Sequence, residues 1–182
     1  MCEVPFLVWR MCGDATVAGA QGSVADVMVS DTAEWQPTNL VVRSYGTASL
    51  IITNNLFLDQ CRDFHIGQHA DLTGIVTITK NSSWNSYWKT YVAEHGLGII
   101  SISDSSTIKL DAQSQDAYFG RYSGSESRIT ISDPGSELEI LTTSKPIYIF
   151  GDSGSALLVI SNGASTFIGM AADMNLSVEN FL

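Results

Sequence analysis

One pattern recurs along almost the whole chain and leaves few folds open to it. Between Ala15 and Phe167 an apolar strand, a Gly/Ser turn, a second strand and a Ser/Thr-initiated turn follow one another six times. The first strand contributes Val17, Val42, Ile66, Val92, Phe119 and Ile149, at spacings of 25, 24, 26, 27 and 30 residues. The second contributes two alternating columns, Val27, Leu50, Val76, Ile100, Ile129, Leu158 and Val29, Ile52, Ile78, Ile102, Ile131, Ile160. The next residue is Ser30, Thr53, Thr79, Ser103, Ser132 or Ser161, hydroxyl-bearing without exception, and Trp35, Phe57, Trp84, Ile108, Leu138 or Phe167 follows soon after. Alternation with period two marks strands buried on one face. β-Branched residues in short runs broken by Gly, Ser, Asn and Asp are strand and turn chemistry, and no substantial helix is expected.

A unit of about two dozen residues cannot bury three apolar faces alone, but stacked copies close a continuous core. The expected fold is all-β: a right-handed parallel β-helix of about six three-sided rungs over 15–167. An irregular segment or partial rung precedes it at 1–14, and a tail or partial rung follows at 168–182. Rungs at the usual strand spacing of about 4.8 Å would make a column roughly 25–30 Å long. A propeller blade needs four strands in about 40 residues, and these units are too short for that.

Composition narrows the function classes. Nineteen acidic and nine basic residues give a net charge of −10. Such a surface does not neutralise phosphates or dock on anionic lipid, so nucleic acid is not an expected partner. Cys2, Cys12 and Cys61 are odd in number and match no metal spacing, so neither a disulfide framework nor a zinc site is expected. The apolar run from Val4 to Trp9 lacks a preceding basic region and is too short for a signal-peptide core. No apolar stretch is long enough to cross a bilayer as a helix.

The pattern LxVGxxGxGxLxIS before an Asn- or Gly-rich turn, best seen in IYIFGDSGSALLVISNGAS, resembles the passenger repeats of autotransporter adhesins of the AIDA type. Arg43 and Ala93 stand where that family prefers Gly, and Cys61 interrupts a turn. The resemblance implies a β-helix carried to the bacterial surface by a C-terminal β-barrel, with roles in adhesion, self-association and biofilm formation. Its implied partners are other passenger copies, host or cell-surface glycans, and the fused barrel of a full-length parent. The residues after Phe167 are too few for a barrel, and the chain reads as a passenger fragment.

Several constellations suggest chemistry. GDSGS at Gly151–Ser155 looks like the nucleophile motif of chymotrypsin-like serine proteases, with Ser153 as nucleophile and His95 as base. The same residues fill the turn slot that RSYGT, AEHGL and GRYSGS fill in other rungs, and the solenoid leaves no room for a double barrel. A turn column of Asp31, Asn54, Lys80, Asp104, Asp133 and Asn162 stacks carboxylates. Pectin-degrading lyases use a comparable β-helix with calcium-binding aspartates, but the calcium nonapeptide is absent, and these residues read as turn formers. Trp35 and Trp84 fall on an interior column, whereas Tyr87 and Trp88 fit none and are candidates for an exposed contact. His65, His69 and His95 are isolated, so no metal or cofactor is expected. The expected function is non-catalytic binding at the cell surface, with a polysaccharide-acting β-helix enzyme or, behind it, a serine protease as alternatives.

Overall fold

The computed structural model describes residues 12–31, 35–42, 47–111, 117–141, 148–168 and 175–176, and every regular element in them is a strand. Seven strands form the first face: Cys12–Val17, Gln36–Val42, Asp63–Ile66, Thr90–Val92, Ala117–Phe119, Tyr148–Phe150 and Asn175–Leu176. Six form the second: Val24–Ser30, Thr47–Thr53, Thr73–Ile78, Leu97–Ile102, Glu126–Ile131 and Ser155–Ile160. Five form the third: Phe57–Cys61, Ser83–Ser86, Thr107–Asp111, Glu137–Leu141 and Ser165–Ile168. All pairings are parallel, and the chain visits the faces in turn, so the protein is a parallel β-helix of about five turns. Strands extend at both ends of the 15–167 stretch, back to Cys12 and on to Leu176.

The two columns of the second face are in register from end to end. Val27, Leu50, Val76, Ile100, Ile129 and Leu158 pair in sequence, as do Val29, Ile52, Ile78, Ile102, Ile131 and Ile160. Beside them runs an inner column of small residues, Ala25, Ala48, Gly74, Gly98, Ser127 and Ala156. The corner from the first face is tight enough to demand them. A Cβ on Gly74 would lie 2.7 Å from the carbonyl oxygen of Val42, and one on Gly98 would lie 2.6 Å from the amide nitrogen of Ala93.

Three expected column positions are wrong by one residue. Phe57 is 56% exposed, and its neighbour Leu58, 1% exposed, takes the inner place below Trp84, Ile108 and Leu138. Phe167 is 51% exposed, because Thr166 pairs with Leu138. In the first face Phe119 pairs with Phe150 rather than Ile149, and their rings stack at 4.3 Å. A one-residue shift reverses the face of a strand, so two adjacent apolar residues cannot be ordered by composition alone. Trp35 and Trp84 do pack with the core, and Trp84 meets Phe64 edge-on at 3.9 Å.

Left-handed residues turn two of the corners. Ala18, Gly67, Ala93, Gly120 and Gly151 follow the first-face strands with φ between 57° and 74°. Asp31, Asn54, Lys80, Asp104, Asp133 and Asn162 follow the second-face strands with φ between 52° and 76°. Asn and Asp tolerate this region because short polar side chains hydrogen-bond locally, which explains most of that turn column. Just inside it, buried Ser82 and Ser106 satisfy the main chain. The amide of Leu56 donates to Ser82 Oγ and that of Ser82 to Ser106 Oγ, both at 3.2 Å. An inward-facing amide at a dry corner needs such a partner.

Candidate functional site

The GDSGS segment forms a corner. Gly151 has φ 71°, the amide of Ser153 donates to the carbonyl of Arg121 at 3.0 Å, and Ser153 is exposed. The amide of Tyr122 donates to Glu94 in turn, and the His95 and Tyr122 rings stack at 4.2 Å. His95, Tyr122 and Ser153 therefore occupy three successive rungs. Two rung spacings amount to about 9.6 Å, too far for the imidazole to take the serine proton directly.

Around that corner lies a cluster whose members were not singled out as a set by sequence. His65, Tyr91 and Tyr118 pair outward on the first face. The His65 and Tyr91 rings lie 4.8 Å apart, and those of Tyr91 and Tyr118 stack at 5.6 Å and 6°. The Arg121 guanidinium sits 5.0, 4.5 and 4.9 Å from the rings of Tyr91, Tyr118 and Tyr122, and 3.2 Å from Glu94 Oε1. His65 Nδ1 approaches Glu94 Oε2 at 3.6 Å. The contact with His65 holds the Glu94 carboxyl below its ordinary range against the opposing effect of burial, aided by Arg121 and His95. Rings stacked along the column cover one another's faces, so the ladder braces rungs together instead of offering a flat platform to a sugar. The signal for it in sequence is aromatic recurrence at rung spacing.

Tyr87 and Trp88 are half-buried at the corner between the third and first faces. The Tyr87 hydroxyl donates to Asp59 Oδ1 at 2.7 Å and accepts from Asn85 Nδ2 at 3.2 Å. Burial first, then the hydrogen bond to Asp59, pushes its phenol pKa up. Arg62 stacks over Trp88 at 4.2 Å. In the turn column Asp104 accepts from Thr79, and Ser103 donates to Thr79 at 3.2 Å. Among the described residues no group of three or more His, Cys, Asp or Glu side chains is placed to hold a metal ion. Cys2, Arg43 and the side chains of Cys12 and Cys61 lie outside what the structure describes.

The outer faces differ in charge. On the second face the middle outward column is Asp26, Ser49, Ile75, Ile99, Arg128 and Leu157, and its neighbour is Met28, Ile51, Thr77, Ser101, Thr130 and Val159. Of the three outward columns only Asp26, Glu126 and Arg128 carry charge, and the last two pair at 2.6 Å. The third face turns Asp59, Asp111, Glu137 and Glu139 outward with a single lysine, Lys109, 3.6 Å from Glu139. No family model, curated protein or solved structure matches the chain.

Proposed function

We propose that this chain is a binding and structural segment, not a catalyst: part of an exported bacterial surface passenger that supports adhesion or self-association. In this reading a fused barrel holds its parent at the outer membrane, and other copies or surface glycans are its partners. The recurring unit supports the passenger assignment by resemblance. The observation that carries the binding role is the outer side of the second face, rich in Ile, Thr and Ser, where three of eighteen outward residues are charged and two of those pair with each other, on a chain of net charge −10. A surface kept soluble by charge carries about 25–35% charged residues. Two such faces can meet without the repulsion that the rest of the surface would impose.

Size sets the strength of this contact. Six strands at about 4.8 Å and six residues at about 3.3 Å make a face near 500 Å². Two copies would bury about 1,000 Å², the lower edge of specific interfaces. A single contact is weak, and adhesion would come from many acting together. Cells displaying the segment are expected to settle faster than controls, and Ile75→Lys with Ile99→Lys to abolish the difference. Settling no faster than controls, or covalent fluorophosphonate labelling that disappears in Ser153→Ala, would overturn the proposal.

A further inference from the structure

We infer that two copies of the chain meet through their second faces with their solenoid axes antiparallel, Asp26 of each copy lying opposite Arg128 of the other. This orientation deepens the self-association proposed above and rests on it. Charge on that face is sparse and placed apart. In the middle outward column, Asp26 to Leu157, the only charged residues are an acid in the first strand and a base in the fifth. Asp26 is exposed and has no partner among the described residues. The Arg128 side chain is 52% exposed and gives its Nε to Glu126 at 2.6 Å, while its two Nη groups take no partner among the described residues. A guanidinium presents its N–H donors as a fork, so one that has used only Nε can still bind a second carboxylate.

Symmetry decides which groups meet. Two identical surfaces packed face to face in a closed pair are related by a two-fold axis lying between them. If that axis runs along the solenoid, every rung faces the same rung of the other copy, so Asp26 meets Asp26 and Arg128 meets Arg128. Like charges set opposite each other disfavour this arrangement. If the axis runs along the strands, the order of rungs is reversed and each outward column faces itself end to end. With the axis at Ile75, in the third of the six strands, the second strand lies against the fourth and the first against the fifth. Asp26 then faces Arg128 twice, once at each end of the contact, with Ile75 on its own copy at the centre and Ser49 on Ile99 to either side. Each guanidinium is shared between Glu126 of its own strand and Asp26 of the other copy.

Moving the axis to lie between Ile75 and Ile99 would overlap all six strands, but it would set Asp26 against Leu157 and bury a carboxylate with no partner. The paired arrangement overlaps five of the six strands. Five strands at about 4.8 Å and six residues at about 3.3 Å bury about 950 Å² in all, near the lower edge of specific interfaces. The apolar centre supplies the attraction. Two rim charge pairs add little to it and fix the orientation instead.

The test is sedimentation equilibrium of the full chain at concentrations up to about 1 mM, the range a contact of this size calls for, with circular dichroism confirming that each variant remains folded. The parent chain is expected to dimerise, more weakly as salt rises. Asp26→Lys sets a lysine against Arg128, and Arg128→Glu sets a glutamate against Asp26. Either change alone should weaken the dimer at least about tenfold. An equimolar mixture of the two variants joins opposite charges at both ends and should associate within about threefold of the parent, as should the double variant with itself. Repair by mixing is a result that a merely misfolded variant cannot give. Reversals that leave the dimer unchanged, or that mixing does not repair, would overturn the antiparallel arrangement. If Ile75→Lys with Ile99→Lys still broke that dimer, self-association through the second face would stand without it. A parent chain that stays monomeric would overturn the inference as well, and the settling comparison then decides the broader reading separately.

Discussion

Ala93 holds a left-handed φ of 62° with its methyl buried, in a corner where three other rungs use Gly67, Gly120 and Gly151. Relief of a left-handed alanine is worth about 1–2 kcal/mol, against about 0.8 kcal/mol for burying one methyl. Ala93→Gly is therefore expected to raise stability by about 0.5–1 kcal/mol in chemical denaturation. Gly120→Ala should do the reverse and cost more than about 2 kcal/mol, because its new Cβ would also overlap the carbonyl oxygen of Ser155. Glu94 ties stability to pH. Its folded pKa is depressed, so its pairing with His65 and Arg121 stabilises the fold above the ordinary value of 4.5 and is lost as pH falls through the folded value. Urea titrations from pH 6 down to pH 2 should show a shallower loss of stability in Glu94→Gln than in the parent chain.

Strands in this solenoid obey alternation but not composition. Phe57 and Leu58 are both apolar, and a sequence reader choosing the larger as the core residue errs, since cross-rung register with Trp84 selects Leu58. Leu58→Ala is expected to cost about 2–5 kcal/mol. Phe57→Ser should stay within about 0.5 kcal/mol, as substitutions at exposed sites do. A reversal of that order in thermal or chemical melts would mean that the strand is shifted by one residue.

Across the whole molecule, burial declines from the middle rungs outward. Ile131 is fully buried, whereas Ile160, next in the same column, is 42% exposed. Val27 and Val29 at the other end are only partly buried. In a stack where each rung touches only its neighbours, stability is a sum of local terms, and the end rungs have one neighbour fewer. Amide hydrogen exchange is expected to be slowest in Thr73–Ile78 and Leu97–Ile102 and faster in Val24–Ser30 and Ser155–Ile160. Uniform protection across all four strands would show instead that the column opens as one unit.

The solenoid, the second-face columns and the turn residues are legible in the chain alone, because period-two alternation, recurrence near 25 residues and the conformational tolerance of Asn, Asp and Gly are local properties that survive without a fold. The same patterning places Trp35 and Trp84 inside. The rest depends on how the rungs stack. Which of two adjacent apolar residues faces inward depends on hydrogen-bond register with the rung beside it, as Leu58 and Phe150 show. The Arg121 cluster and the uneven charge of the outer faces unite residues from different rungs, about 25 positions apart in the chain but one strand spacing apart in space. The separation of His95 from Ser153 was equally a matter of stacking order, since motif strings carry no distance until the rungs are in place.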